Sequence, residues 1–203
     1  MRLTKMTKKI VIVGGGGSAE QFLQLSLLSE KENLLFGAEV WAINFVGCTL
    51  KCDKIIAMDY MEITRGAWPP HMKQYLERTQ IPVISCAKVA GINIEEYPIK
   101  EVIEFFTGLS YFNTSVAYAV ALAIYQGATD IGLYGIDFTW PGVINKEEAG
   151  RSCVEFWLGI AVQAGVKIHV AGTSTLLDTV SGRRLYGYAD YLEKEKENKN
   201  ERN

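Results

Sequence analysis

The chain has 203 residues, 48% apolar and 22% charged, which suits a globular domain with a sizeable core and excludes the disordered and fibrous classes. Twenty-one Lys and Arg against 23 Asp and Glu leave a formal charge of -2, so no bulk positive field gathers nucleic acid or anionic membrane, and function must reside in a specific pocket. Four cysteines without framework spacing, Cys48, Cys52, Cys86 and Cys153, point to reduced thiols in a cytosol-like compartment.

The N-terminal stretch is basic, but the apolar run after it stops at a glycine cluster, too early for a secretion signal. Ile10 to Val13 is β-branched and uninterrupted, as in a strand covered on both faces, and it runs through Gly14 to Ser18 into an amphipathic helix over 19–29. Further short apolar runs at 40–43, 54–58, 82–85, 130–135 and 167–170 read as strands. Helices are expected over 69–79, 98–107, 115–126 and 147–164. The 115–126 helix is apolar almost all round, with Ala117, Ala119, Ala121 and Ala123 as small packing residues, and should be the central buried one. Its longest apolar run, 116–124, is about half the roughly 20 residues that cross a bilayer. Strands alternating with helices predict an α/β fold: a Rossmann-like three-layer domain with a mainly parallel, doubly wound sheet. Residues 1–192 read as a single nucleotide-binding domain, and 193–203 as a charged flexible tail with no apolar residue.

In such a sheet, ligands bind beyond the carboxyl ends of the strands, so the residues just after each strand are the candidates. Gly14, Gly15, Gly16, Gly17 and Ser18 form a turn whose backbone amides, with the positive end of the next helix, could cradle a phosphate, although the Lys-Ser/Thr ending of a Walker loop is missing. Asn44, Asp59 and Asp137 each follow a strand; each alone reads more readily as a turn former, and their convergence on one sheet edge is what makes them candidates. Asn113, Thr114 and Ser115 open the central helix, where one side chain suffices as a cap and the others remain for a phosphate or carboxylate. Arg151, Arg183 and Arg184 are candidate phosphate holders, and Arg65, Trp68, His71 and Tyr75 form either a lid or a packed segment. His169, inside a strand, reads as structural. No metal is expected, since no Cys or His pair has ligand spacing and there is no Asp-x-Asp. Trp140 and Trp157 are candidates for a subunit contact or for the core, so a homo-oligomer is one expectation.

Ile10 to Ser18, Val40 to Asn44, Asp53 to Asp59, and Thr114-Ser115 followed by an alanine-rich helix and Gly127 to Phe138 resemble the bacterial family-42 sialyltransferases. The same blocks resemble the archaeal 6-hydroxymethylpterin pyrophosphokinase-like proteins and related bacteriophage proteins, the last being most similar in length and compact loops. The resemblance covers roughly 9–178 and is most specific over 113–138. It implies that the glycine turn and Asn44 approach a nucleotide's phosphate and sugar, and that Asp59, Thr114, Ser115 and Asp137 line the same cleft. The chain departs from that family at Gly15, where the family has Asn, and at Thr139, where it has a phosphate-contacting Tyr. The lid carrying the family's general-base His has no counterpart between Gly142 and Arg151.

These features predict a nucleotide-dependent transferase, a metal-independent nucleotide-sugar glycosyltransferase of phage type, located in the bacterial cytoplasm. Its ligand would be a nucleotide or nucleotide sugar used as donor substrate, the acceptor being undetermined, with Asp137 or Asp59 as candidate base. A magnesium-dependent pyrophosphokinase-like enzyme and a non-catalytic nucleotide-binding or phage assembly protein are the alternatives.

Overall fold

The computed structural model describes residues 7–28, 35–59, 66, 69–139 and 144–177. Seven strands form one sheet: β1 (Lys9–Val13), β2 (Glu39–Ile43), β3 (Lys54–Ile56), β4 (Val83–Ser85), β5 (Ile94–Glu96), β6 (Asp130–Tyr134) and β7 (Lys167–Val170). The helices are α1 (Ala19–Ser26), α2 (Pro70–Arg78), α3 (Ile99–Phe105), α4 (Ser115–Tyr125) and α5 (Ile144–Gln163), with a 3-10 turn at Asn44–Cys48. The strand order is β5-β4-β3-β2-β1-β6-β7, and each recorded pairing is parallel. The chain winds outward from β1 to β5, then crosses back to β6 on the other side of β1. This is the doubly wound, three-layer Rossmann-like architecture, and its switch point lies between β1 and β6.

The period-2 geometry of a strand divides the β1 side chains between two cores. Ile10 and Ile12 join Trp41, Ile131 and Leu133 beneath α4 and α5, while Val11 and Val13 join Ala42, Ile55 and Tyr134 on the face bearing α1 and α2. A strand that is apolar at every position therefore needs helices on both faces. Helix α4 is the buried centre: Val116, Ala117, Ala119, Val120 and Ala121 to Ile124 are all buried, and its alanines let its backbone lie close to the sheet. Its ends follow local chemistry. Thr114 caps the start by accepting the Ala117 N–H at 3.1 Å. Gly127, at φ 78°, closes a Schellman turn in which the Ala128 N–H reaches the Ala123 carbonyl at 3.0 Å. The same closure, with Gly165 at φ 80° and Val166 N–H to Ala161 carbonyl at 2.9 Å, ends α5.

Strand β5 is the element the sequence did not announce. Its Ile-Glu-Glu pairs only with β4 at the sheet edge, so it shows neither a continuous nor an alternating apolar pattern. Helix α5 also starts earlier than its apolar pattern, at Ile144 rather than 147. Trp157 is not a subunit contact: it is fully buried beneath α4, stacked on Phe112, with its indole N–H donated to the Tyr111 carbonyl at 2.7 Å. Trp140 and the segment 193–203 lie outside the described residues. Among the described residues, no helix is long and apolar enough to cross a membrane.

Candidate functional site

Beyond the carboxyl ends of the central strands, at the switch point, lies a cleft of about 650 Å³. Four segments distant in sequence meet there: Gly14 to Gly17 after β1, Asn44 and Phe45 after β2, Asn113 to Val116 at the start of α4, and Gly135 to Thr139 after β6. Asp59 from the end of the β3 segment and Lys146 and Glu147 from α5 complete the lining. Of the residues singled out from the sequence, Gly14, Gly15, Gly16, Gly17, Asn44, Asp59, Asn113, Thr114, Ser115 and Asp137 are all brought together.

Ser18 is not among them. It is buried at 2% exposure, behind the turn rather than on its open side. Its backbone N–H donates to Asp137 Oδ2 at 2.8 Å, its hydroxyl donates to Asp137 Oδ1, and its Oγ accepts the Gly135 N–H at 2.8 Å. Those bonds tie the turn after β1 to the turn after β6. They also engage both oxygens of Asp137, so the expected base is held as a buried acceptor.

The glycines serve close approach. A Cβ on Gly14 would lie 2.5 Å from the Gly135 carbonyl oxygen, and one on Gly16 would lie 2.5 Å from Asp137 Oδ2. Gly135 combines φ 66° with a Cβ position 2.1 Å from the Gly14 carbonyl oxygen, so no other residue fits. At Gly15 the neighbour is different: the half-exposed ring of Phe45, whose Cζ would lie 2.6 Å from an added Cβ. The aromatic ring thus fills the space a side chain at the second turn position would take.

The amides of the turn are only partly available. Gly14 N–H bonds the Tyr134 carbonyl at 2.8 Å and Gly16 N–H the Gly135 carbonyl at 2.9 Å. Ala19, Glu20 and Gln21 N–H bond back to the carbonyls of Gly16, Gly17 and Ser18, so the first amides of α1 are spent and its N-terminus offers a dipole but no free donors. Among the described residues, the N–H groups of Gly15 and Gly17 have no hydrogen-bond partner, nor have those of Ser115 and Val116 at the start of α4. All four residues line the cleft. Two pairs of backbone donors, one after β1 and one at the first turn of α4, are thus unfilled among the described residues on the lining of one cleft, an arrangement that suits an anion.

On the opposite side, Asn44 sits at φ 52°, a left-handed conformation that Asn tolerates better than most residues. Its Nδ2 donates to Asp59 Oδ2 at 2.6 Å, while its Oδ1 is buried without a partner. Phe138, at φ 48°, is the second left-handed non-glycine residue of the cleft. Helix α5 is drawn against this wall. Asn113 Nδ2 donates to the Ala149 carbonyl at 2.9 Å, and Gly150 lets Phe138 and Thr114 pack where a Cβ would lie 2.8 Å and 3.1 Å away.

Several expected contributors lie elsewhere. His71 and Tyr75 belong to α2 and do not line the cleft, and Arg65, Trp68, Arg183 and Arg184 lie outside the described residues. Arg151 is also outside the lining. His169 stands on edge strand β7, 3.7 Å from Asp130 at the start of β6. Phe45, Lys146 and Glu147 went unrecognised in the sequence. The first is one apolar residue after a strand, and the others read as the polar start of a helix; only their placement at the switch point distinguishes them.

The fold and the site define a Rossmann-like α/β domain with a cleft at its topological switch point. The sequence matches no family model and no curated protein. Among solved structures, the chain is similar in fold to the sialyltransferase CstII from Campylobacter jejuni in complex with a substrate analogue, CMP-3FNeuAc, with TM-score 0.53 and 16% identity over 84% of this chain and 83% of that one. A CstII structure in complex with cytidine-5'-monophosphate gives TM-score 0.51 and 17% identity, covering 84% and 83%. Another, in complex with trisaccharide acceptor and CMP, gives TM-score 0.52 and 16% identity, covering 84% of both chains.

Proposed function

We propose that the chain is a nucleotide-sugar glycosyltransferase whose donor carries a single phosphate between nucleoside and sugar. The observation that carries this is the convergence of four unpartnered backbone amides, Gly15, Gly17, Ser115 and Val116, on one cleft at the switch point. Preorganised donors of this kind stabilise the charge that develops on a departing phosphate without reorganising. The sialyltransferase structures of the same fold, recorded with CMP and a CMP-sugar analogue, support the same ligand class.

Charge favours a monophosphate. The described lining holds one ammonium, Lys146, against the carboxylates of Asp59, Asp137 and Glu147, so a diphosphate with its larger negative charge meets more repulsion. Two of those carboxylates already accept hydrogen bonds, Asp137 from Ser18 and Asp59 from Asn44, which supports transfer without a divalent ion. Asn44 Oδ1, buried and unfilled, is placed to accept a hydroxyl or amine of the donor. Thr114, whose Oγ1 serves as the α4 cap, and Asn113, which holds α5, shape the cleft. The four cysteines are free thiols, in keeping with a bacterial cytoplasmic setting.

Thermal-shift titration with CMP, UDP, GDP and ADP, their sugar conjugates, and ATP, with and without magnesium, tests the proposal. Stabilisation by CMP and a CMP-sugar in the absence of metal is expected. A response to ATP with magnesium alone would instead indicate a pyrophosphokinase-like enzyme, and no response to any nucleotide would indicate a non-catalytic protein.

A further inference from the structure

We propose that Glu147 is the general base of this transfer, a role that rests on the glycosyltransferase reading above. Glu147 lies in the first turn of α5 and lines the cleft, and its Oε1 is buried with no hydrogen-bond partner among the described residues. A buried carboxylate oxygen is strongly driven to find a donor, and Glu147 lines the cleft where a ligand could supply one.

The backbone around Glu147 is fixed on that side. The Asn113 carboxamide holds the Ala149 carbonyl at 2.9 Å, and Gly150 admits Phe138 and Thr114 against the helix. A carboxylate one turn earlier is therefore presented to the cleft by two independent restraints. The other acidic side chains of the cleft are differently placed: Asp137 has both oxygens on Ser18, and Asp59 accepts from Asn44. Neither His71 nor His169 lines the cleft.

In the step this allows, an acceptor hydroxyl gives its proton to Glu147 Oε1 as its oxygen forms a bond to the anomeric carbon of the donor sugar. The bond from that carbon to the phosphate oxygen breaks, and its electron pair leaves with the nucleoside monophosphate. The new negative charge falls to the open amides of Gly15, Gly17, Ser115 and Val116. Water in place of the acceptor hydroxyl gives donor hydrolysis by the same proton transfer, so the base can be tested without knowing the acceptor.

The test uses the full chain with CMP and CMP-N-acetylneuraminic acid. CMP affinity is measured by calorimetry, and CMP release is followed with and without lactose. The expected result is that Glu147→Gln keeps CMP affinity within about threefold while CMP release falls by about 10² or more, the range of a lost general base. Formate should restore release in Glu147→Ala, because a small carboxylate can occupy the vacated site, and should do nothing for the wild type. Near-wild-type release by Glu147→Gln, or a loss that formate does not restore, overturns the role while leaving the transferase reading intact. CMP binding without release from the wild type also overturns it, leaving a nucleotide-binding cleft. Absence of both binding and release overturns the transferase reading and the base together.

Discussion

Asp137 receives both the backbone N–H and the hydroxyl of Ser18, a residue 119 positions earlier in the chain, and this buried pair clamps the turn after β1 to the turn after β6. The clamp sets the spacing of the cleft. Ser18 Oγ relays it to the Gly135 N–H, so three polar groups are satisfied within a space closed to water.

Asp137→Asn is accordingly expected to destabilise the fold, because an amide nitrogen replaces one acceptor and faces a donor of Ser18. Leaving a buried donor unmatched costs about 1–3 kcal/mol. Urea denaturation measures it, and CMP affinity should fall in parallel as the turn loosens. A variant as stable as wild type that has lost only turnover would return Asp137 to the role of base.

The glycines of the two turns should form a graded series under substitution by Ala. Gly135→Ala, strained in φ and blocked by backbone, is expected to prevent folding, whereas Gly17→Ala, with its nearest atom 3.9 Å away, should fold normally. Gly15→Ala falls between, since the obstructing atom is the tip of Phe45; adding Phe45→Ala should relieve the cost, a coupling of about 0.5–3 kcal/mol in a double-mutant cycle. Circular dichroism melts of the three glycine variants, of Phe45→Ala and of the Gly15→Ala/Phe45→Ala pair decide the order.

Acid sensitivity should track the pair of Glu39 and Lys54 on neighbouring strands β2 and β3. Burial pushes the Glu39 carboxyl up, but hydrogen bonding and nearby positive charge, that of Lys54 foremost with Trp41 and Lys8 adding to it, together outweigh it, and its folded value lies below the ordinary one. A depressed carboxyl contributes stability above its unfolded value and loses it as pH falls through the folded value. Lys54 also lies 5.0 Å from the centre of the Trp41 ring, which fixes the ammonium in place. Lys54→Gln is expected to lower stability by roughly 0.5–1 kcal/mol at pH 7. The difference from wild type should shrink as pH falls through the depressed folded value, below which Glu39 is protonated in both states. Denaturant midpoints at three pH values, with added salt as a control, measure it.

Much of the architecture was written locally. The β-branched run at Ile10 to Val13 required cover on both faces, Thr114 and Gly127 marked the ends of α4, and the positions following β1, β2 and β6 had to meet at one edge of a doubly wound sheet. Those are consequences of short-range sterics, capping and the period of the apolar pattern, and they can be read without coordinates. Partner choice cannot. Ser18 and Ser115 look alike in the sequence, each a small polar residue at a helix start, yet the first is turned inward to Asp137 and the second lines the cleft. Phe45 came to rest over a glycine turn, and Glu147 on the lining of the cleft, because long-range packing brought together segments that share no local signal. Burial and the pairing of hydrogen-bond donors with acceptors belong to the assembled chain, which is why the sequence supplied the sheet and its edge while only the folded protein determined which side chains there remained open to a ligand.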